Sequence, residues 1–135
     1  MNNLIEAREI SKVFKEGNRL IKAVNKINFN INTNEKIVIY GRSGSGKSTL
    51  LNLLSGLDAF SEGQINYKNL NYENDHNKLT FLRRKNMGFV YQFHHLLKEF
   101  TAVENVALSA MILGIDKHKS LSEASKILKK FDLSD

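Results

Sequence analysis

Residues 41–48 read Gly41-Arg42-Ser43-Gly44-Ser45-Gly46-Lys47-Ser48. Glycines this closely spaced let a chain wrap tightly, so that successive backbone N–H groups converge on one point. Such a point attracts an anion. Lys47 adds a mobile ammonium, suited to the β and γ phosphates of a nucleoside triphosphate. Ser48 adds a hydroxyl, suited to Mg²⁺. A glycine-rich turn before a helix would explain the glycines but not Lys47 followed by Ser48. The spacing Gly41, four residues, Gly46-Lys47-Ser48 matches the Walker A pattern in full.

That chemistry needs a strand to feed the loop and a helix to leave it. Ile37-Val38-Ile39-Tyr40 is a short apolar run rich in β-branched residues, as expected of a strand covered on both faces in a parallel sheet. Leu50, Leu51, Leu53, Leu54 and Leu57 fall at helical spacing, with Gly56 as a C-cap. The N-terminus of such a helix directs its dipole at the same anion.

The remaining elements are read from periodicity. Residues 4–14 alternate through Ile5, Ala7 and Ile10 as a first strand, and Gly17-Asn18 is a turn. Residues 24–31 form a half-exposed strand, with Ile27, Phe29 and Ile31 on one side and Lys26, Asn28 and Asn30 on the other. Residues 64–67 and 87–91 read as further strands, 69–77 as an exposed loop and 78–85 as a short helix. Thr101 and Glu104 have capping-box spacing. Val103, Val106, Ala107, Ala110 and Met111 continue that helix as one stripe ending near Gly114. A last helix is expected over about 122–131, with Ile127, Leu128 and Phe131 inward. The fold class is therefore mixed α/β, with a helical annex beginning near Gln92.

Composition narrows the function classes. The chain has 135 residues, 41% hydrophobic and 25% charged, as an ordinary globular domain has. No apolar run approaches a membrane span, and the N-terminus lacks the pattern of a secretory signal. Cysteine is absent, so there is no disulfide frame or thiolate metal site. These features point to the cytoplasm. The net charge of +6 is scattered, with Arg83-Arg84-Lys85 the longest run of cations, so a solvated surface explains it and no nucleic-acid partner is expected.

The residues around the loop resemble the ATP-binding cassette (ABC) ATPases, the subunits that drive membrane transporters. The resemblance is carried by residues 42–51, by Leu54-Ser55-Gly56-Leu57-Asp58 with Glu62-Gly63, by Gly88-Phe89-Val90-Tyr91-Gln92, and by Thr101-Ala102-Val103-Glu104-Asn105-Val106. The pattern is most similar to exporters of the lipoprotein-releasing and macrolide-efflux type. It implies a P-loop NTPase fold: a RecA-like core with an antiparallel β subdomain over residues 1–92, then the Q-loop and the start of an α-helical subdomain over 93–135. It implies ATP and Mg²⁺ as ligands. Phe14 matches the ring that stacks on adenine; the competing reading is a core aromatic at a strand end. Gly41, Ser43, Gly44, Ser45, Gly46, Lys47, Ser48 and Thr49 match the phosphate contacts, Ser43 near the γ phosphate and Thr49 near the α. Ser48 and Gln92 match the Mg²⁺ contacts, and Gln92 also matches the glutamine that positions water. The implied partners are a transmembrane permease and a second ATP-binding subunit. The implied location is the inner face of the cell membrane.

Two look-alikes are set aside. His94-His95 is no metal pair, because adjacent side chains in an extended segment point oppositely. Leu54-Ser55-Gly56 is not the family signature, since it lacks the second Gly and the Gln. The signature, the Walker B strand, the catalytic Glu and the switch His are absent from these 135 residues, so the resemblance is to the N-terminal half of a family member. The expectation is ATP binding with weak or absent hydrolysis by this stretch alone. The alternative is a non-hydrolysing nucleotide-binding fragment or regulatory module.

Overall fold

The computed structural model describes residues 3–68, 70–71 and 75–133. The chain divides into two compact units, Met1–Arg83 and Arg84–Asp135.

The first unit is built on a long hairpin. Strand β1 (Asn3–Glu16) turns at Gly17 and returns as β2 (Arg19–Asn32). β3 (Glu62–Tyr67) joins the other edge of β1, and the two-residue β4 (Leu70–Asn71) follows it. The described sheet has the order β2-β1-β3-β4, antiparallel throughout. Ala7, Ile10, Val24, Ile65 and Tyr67 supply its buried apolar side chains. Along β2, Ile27, Phe29 and Ile31 are half-buried while Lys26, Asn28 and Asn30 are exposed, as the alternation requires. β4 lies inside the span expected to be a loop; residues 69 and 72–74 of that span lie outside the described residues.

Bulges set the sheet's details. Ala7 and Ile10 are both buried although three residues apart, which a period of two forbids. β1 carries one extra residue between them against both neighbours: Ala7 faces Phe29 and Ile10 faces Ile27, while Arg8 faces Gln64 and Ser11 faces Glu62. Glu9 takes φ 51° there, and its backbone N–H donates to Asn28 Oδ1 at 2.8 Å. Gly63 is required opposite this bulge. A Cβ on it would stand 2.6 Å from Arg8 O and 2.5 Å from Glu9 O, closer than any side chain tolerates. A second bulge lies on β2. Lys12 pairs with Val24 and Val13 with Lys22, so Ala23 is the extra residue.

Helix α1 (Lys47–Leu54) buries Leu53 and Leu54. It ends in Ser55 and Gly56, whose N–H groups return to Leu51 O and Leu53 O. α2 (His76–Asn86) buries Leu79 and Leu82, and Arg83 donates to the carbonyl of Gly56, so α2 rests on the end of α1.

Two expected strands are corrected. Residues 37–40 and 87–91 carry no strand ladder among the described residues. Val38 is 82% exposed and Val90 fully so, although both runs have the composition of buried strands. A parallel strand exists only with hydrogen-bonded neighbours, and the described strands are antiparallel and pair among themselves.

The second unit is helical. α3 (Ala102–Ile112) starts in the expected capping box: Glu104 N–H donates to Thr101 Oγ1 at 3.3 Å, and Thr101 N–H donates to Glu104 Oε2 at 2.8 Å. α4 (Lys117–Lys130) begins five residues before the expected start, because Asp116 caps it by accepting from Lys119 N–H at 3.1 Å. The inward face of α4 is corrected in part, since Leu128 is buried as expected. Ser120, Ala124 and Leu128 are buried, whereas Ile127 is half-exposed and Phe131 is 70% exposed. Small residues, Ala107 on α3 with Ser120 and Ala124 on α4, are buried in this helix pair together with Leu128.

Candidate functional site

The glycine loop runs from residue 41 to the first turn of α1. Ser45 N–H donates to Arg42 O at 3.2 Å, closing a turn, and Leu50 N–H donates to Gly46 O at 2.8 Å, starting the helix. Gly46 is the N-cap residue, with φ 89°. A Cβ there would lie 2.2 Å from the carbonyl oxygen of Ala23. The loop thus rests on the bulged residue of β2, and only glycine permits that approach. No side chain caps α1 among the described residues, and its first turn holds no acidic residue. The positive end of the helix therefore faces the loop uncompensated.

Lys47 folds back over the loop. Its Nζ donates to Gly41 O at 2.9 Å and to Arg42 O at 2.7 Å, with Ser45 Oγ at 3.5 Å. The ammonium, the helix N-terminus and the hydroxyls of Ser43, Ser45, Ser48 and Thr49 are thus gathered within nine residues. Ser43, Ser45 and Ser48 are exposed, Thr49 half-buried. Space over Gly44 is open to at least 4 Å. The donor set consists of cations, amide N–H groups and hydroxyls, which fits a polyphosphate. It also fits Mg²⁺ carried by that polyphosphate. Among the described residues there is no group of three His, Cys, Asp or Glu that could hold a metal, so a metal at this loop would take its oxygens from hydroxyls such as that of Ser48 and from the anion itself. His95 packs its ring edge-on against Tyr91, 5.1 Å between centroids.

Phe14 lies near the end of β1 and faces Ile21 across the hairpin, two residues from Ala23. At about 3.3 Å per residue, that is roughly 7 Å along β2 from the carbonyl beneath Gly46. The ring is 41% exposed, so it is not a core aromatic. Gln92 falls in the second unit, in an exposed irregular stretch between α2 and α3. Phe14 and the loop are thus in one unit and Gln92 in the other.

Three residues matter here through contacts that sequence reasoning did not find. Lys12 Nζ donates to Asp58 Oδ1 at 2.7 Å and to Ala59 O at 2.6 Å, and lies 5.0 Å from the centroid of the Phe14 ring. Asp58 is 46 residues away in sequence, so nothing local signals the pair. Asn105 clamps the turn before α3: its Oδ1 accepts from Leu97 N–H at 2.9 Å, and its Nδ2 donates to Leu97 O at 3.0 Å, Phe100 O at 3.1 Å and Thr101 O at 3.0 Å.

With this geometry in place, residues 24–135 match the family described as ABC transporter, and the chain belongs to that family. Its fold is that of an ATP-binding cassette. Against a dimeric ATP-binding cassette, MJ0796, in a post-hydrolysis state bound to ADP and Pi, the TM-score is 0.83 at 35% identity, over 93% of this chain and 56% of that one. Among curated relatives it is 41% identical to the lipoprotein-releasing system ATP-binding protein LolD of Rickettsia typhi over 98% of this chain. It is 42% identical to the LolD of Idiomarina loihiensis over 96%. The chain spans 58% of the length of each of these two relatives. Among the described residues no helix is long and apolar enough to cross a membrane.

Proposed function

We propose that this chain binds MgATP through residues 41–49 and belongs to the ATP-binding subunit that drives a membrane permease. The observation that carries the reading is Lys47: its ammonium is held over a glycine loop by two loop carbonyls, at the uncapped N-terminus of α1. An anion entering the loop meets the helix dipole and backbone N–H groups and gains the ammonium as a charge-assisted partner. Ser43 is assigned to the γ phosphate, Thr49 to the α phosphate, Ser48 to Mg²⁺ and Phe14 to the adenine face. When bound there, Mg²⁺ would neutralise charge on the phosphate oxygens. Gln92 is assigned to Mg²⁺, to the water that attacks the γ phosphate and to sensing of the permease.

Release of lipoproteins is the transport role proposed, by likeness to the two LolD relatives. A second copy of the subunit is the proposed partner across the nucleotide, in keeping with the dimeric cassette above. The proposed place of action is the cytoplasmic face of the membrane, held there by the permease.

Titration of MgATP tests the binding claim. Losing one charge-assisted hydrogen bond costs roughly 1.5–3 kcal/mol, and about 1.4 kcal/mol is a factor of ten. Lys47→Ala is therefore expected to weaken binding at least about tenfold with the far-ultraviolet circular dichroism unchanged. Equal affinities for the two proteins would remove the assignment.

A further inference from the structure

We infer that Lys12 is a positioning residue for the nucleobase: its ammonium is fixed against Phe14, so that the ring is held in place and offers its opposite face to a purine. The inference rests on the nucleotide-site reading above and goes beyond it to a residue that touches no phosphate in that reading.

The geometry is over-determined. Lys12 and Phe14 are two apart on β1, so their side chains leave the same face of the strand. The Lys12 side chain is only 13% exposed, unusual for a lysine. Its ammonium is tied at 2.7 Å to the carboxylate of Asp58 and at 2.6 Å to the carbonyl of Ala59, both just beyond the end of α1. The strand beneath it is pinned as well. Ser61 N–H donates to Ser11 O at 2.8 Å, and Val13 N–H donates to Ser61 Oγ at 3.0 Å. Held this way, the ammonium lies 5.0 Å from the Phe14 centroid, within cation–π range.

Two consequences follow. The ring of Phe14, otherwise an exposed aromatic near a hairpin tip, gains one preferred orientation before any ligand arrives. A cation on one face also draws π density from the other, which favours stacking against an electron-rich purine. Because Asp58 follows α1, whose N-terminus carries the glycine loop, Lys12 links the base-stacking ring to the element that holds the phosphates.

The experiment compares two probes on the full chain, MgATP and magnesium tripolyphosphate, which lacks the base. Lys12→Met keeps the length and apolar stem but removes the charge. It is expected to weaken MgATP about three- to tenfold and leave tripolyphosphate within about twofold. Lys12→Arg, which restores a cation over the ring, is expected to return MgATP affinity to near the original. In a Phe14→Leu background Lys12→Met is expected to have no further effect, since the two act through one ring. Unchanged MgATP affinity in Lys12→Met would overturn the role. So would equal loss for both probes, because it would reveal a general effect on charge or folding. Failure of the unsubstituted chain to bind either probe would instead overturn the nucleotide site itself, and the Lys12 role with it.

Discussion

The contact between Gly46 and the Ala23 carbonyl shows how a single atom decides whether the loop can form. A methyl group at Gly46 would lie 2.2 Å from a backbone oxygen, and neither side of that contact is a flexible side chain. The φ of 89° adds strain for any L-residue. Gly46→Ala is therefore expected to lower stability by about 2–4 kcal/mol in urea unfolding, combining overpacking with left-handed strain. Gly44→Ala, where nothing lies within 4 Å, is expected to cost less. Equal costs at the two sites would mean that the Ala23 contact does not govern the loop. The sequence made the glycines, Lys47 and Ser48 legible because their spacing is local. It left Lys12, Asp58 and Ala23 unread because their roles depend on partners far away in the chain.

At the scale of elements, the helices of the second unit are fixed mainly at their ends. Glu104 has its carboxyl held below the ordinary glutamate range, first by the Thr101 backbone N–H and then by the Thr101 hydroxyl. A lowered folded-state value means that the ionised form stabilises the fold. That contribution is complete above the ordinary value of 4.5 and is lost as pH falls through the lowered one. Amide exchange of the first turn of α3 is expected to accelerate in the unsubstituted chain as pH falls below that value, after correction for the intrinsic rate. In Glu104→Gln the same correction is expected to leave a flat profile. Parallel profiles would show that the carboxylate is not the cap. Thr101 and Glu104 were legible because a capping box is a three-residue spacing. The start of α4 was not, because Lys117, His118 and Lys119 are polar and carry no apolar period; only Asp116 marks it. Ile127 and Phe131 were misplaced for a related reason. Apolarity says that a side chain prefers to be inside, and α4 has more apolar residues than its contact with α3 covers.

At the scale of the whole molecule, the sheet and helices account for the described core, yet two runs with the composition of buried strands stand exposed. Ile37, Val38 and Tyr40 precede the glycine loop, and Phe89, Val90 and Tyr91 precede Gln92. Exposed β-branched runs without ladder partners invite edge-to-edge association. Light scattering of the isolated chain is expected to rise with concentration, and Val38→Lys to reduce it at least about twofold without changing the circular dichroism. Scattering that ignores the substitution would assign the association to another surface. The reading of residues 37–40 as a parallel strand and of 87–91 as a further strand failed here because strands take their stability from neighbours. The apolar runs were legible, while the neighbours that would complete them are not among the described strands.

The bulge at Ala23 also says where this chain can change length over evolutionary time. The hairpin turns at Gly17-Asn18, beyond the Glu16–Arg19 pair, and an insertion there lengthens an exposed tip. The stretch from Val24 back to Lys22 is different, because one residue more or fewer would move the carbonyl on which Gly46 rests. Descendants of this sequence should therefore accumulate gaps at the tip and keep an exact residue count across Ala23, whatever side chains they carry there.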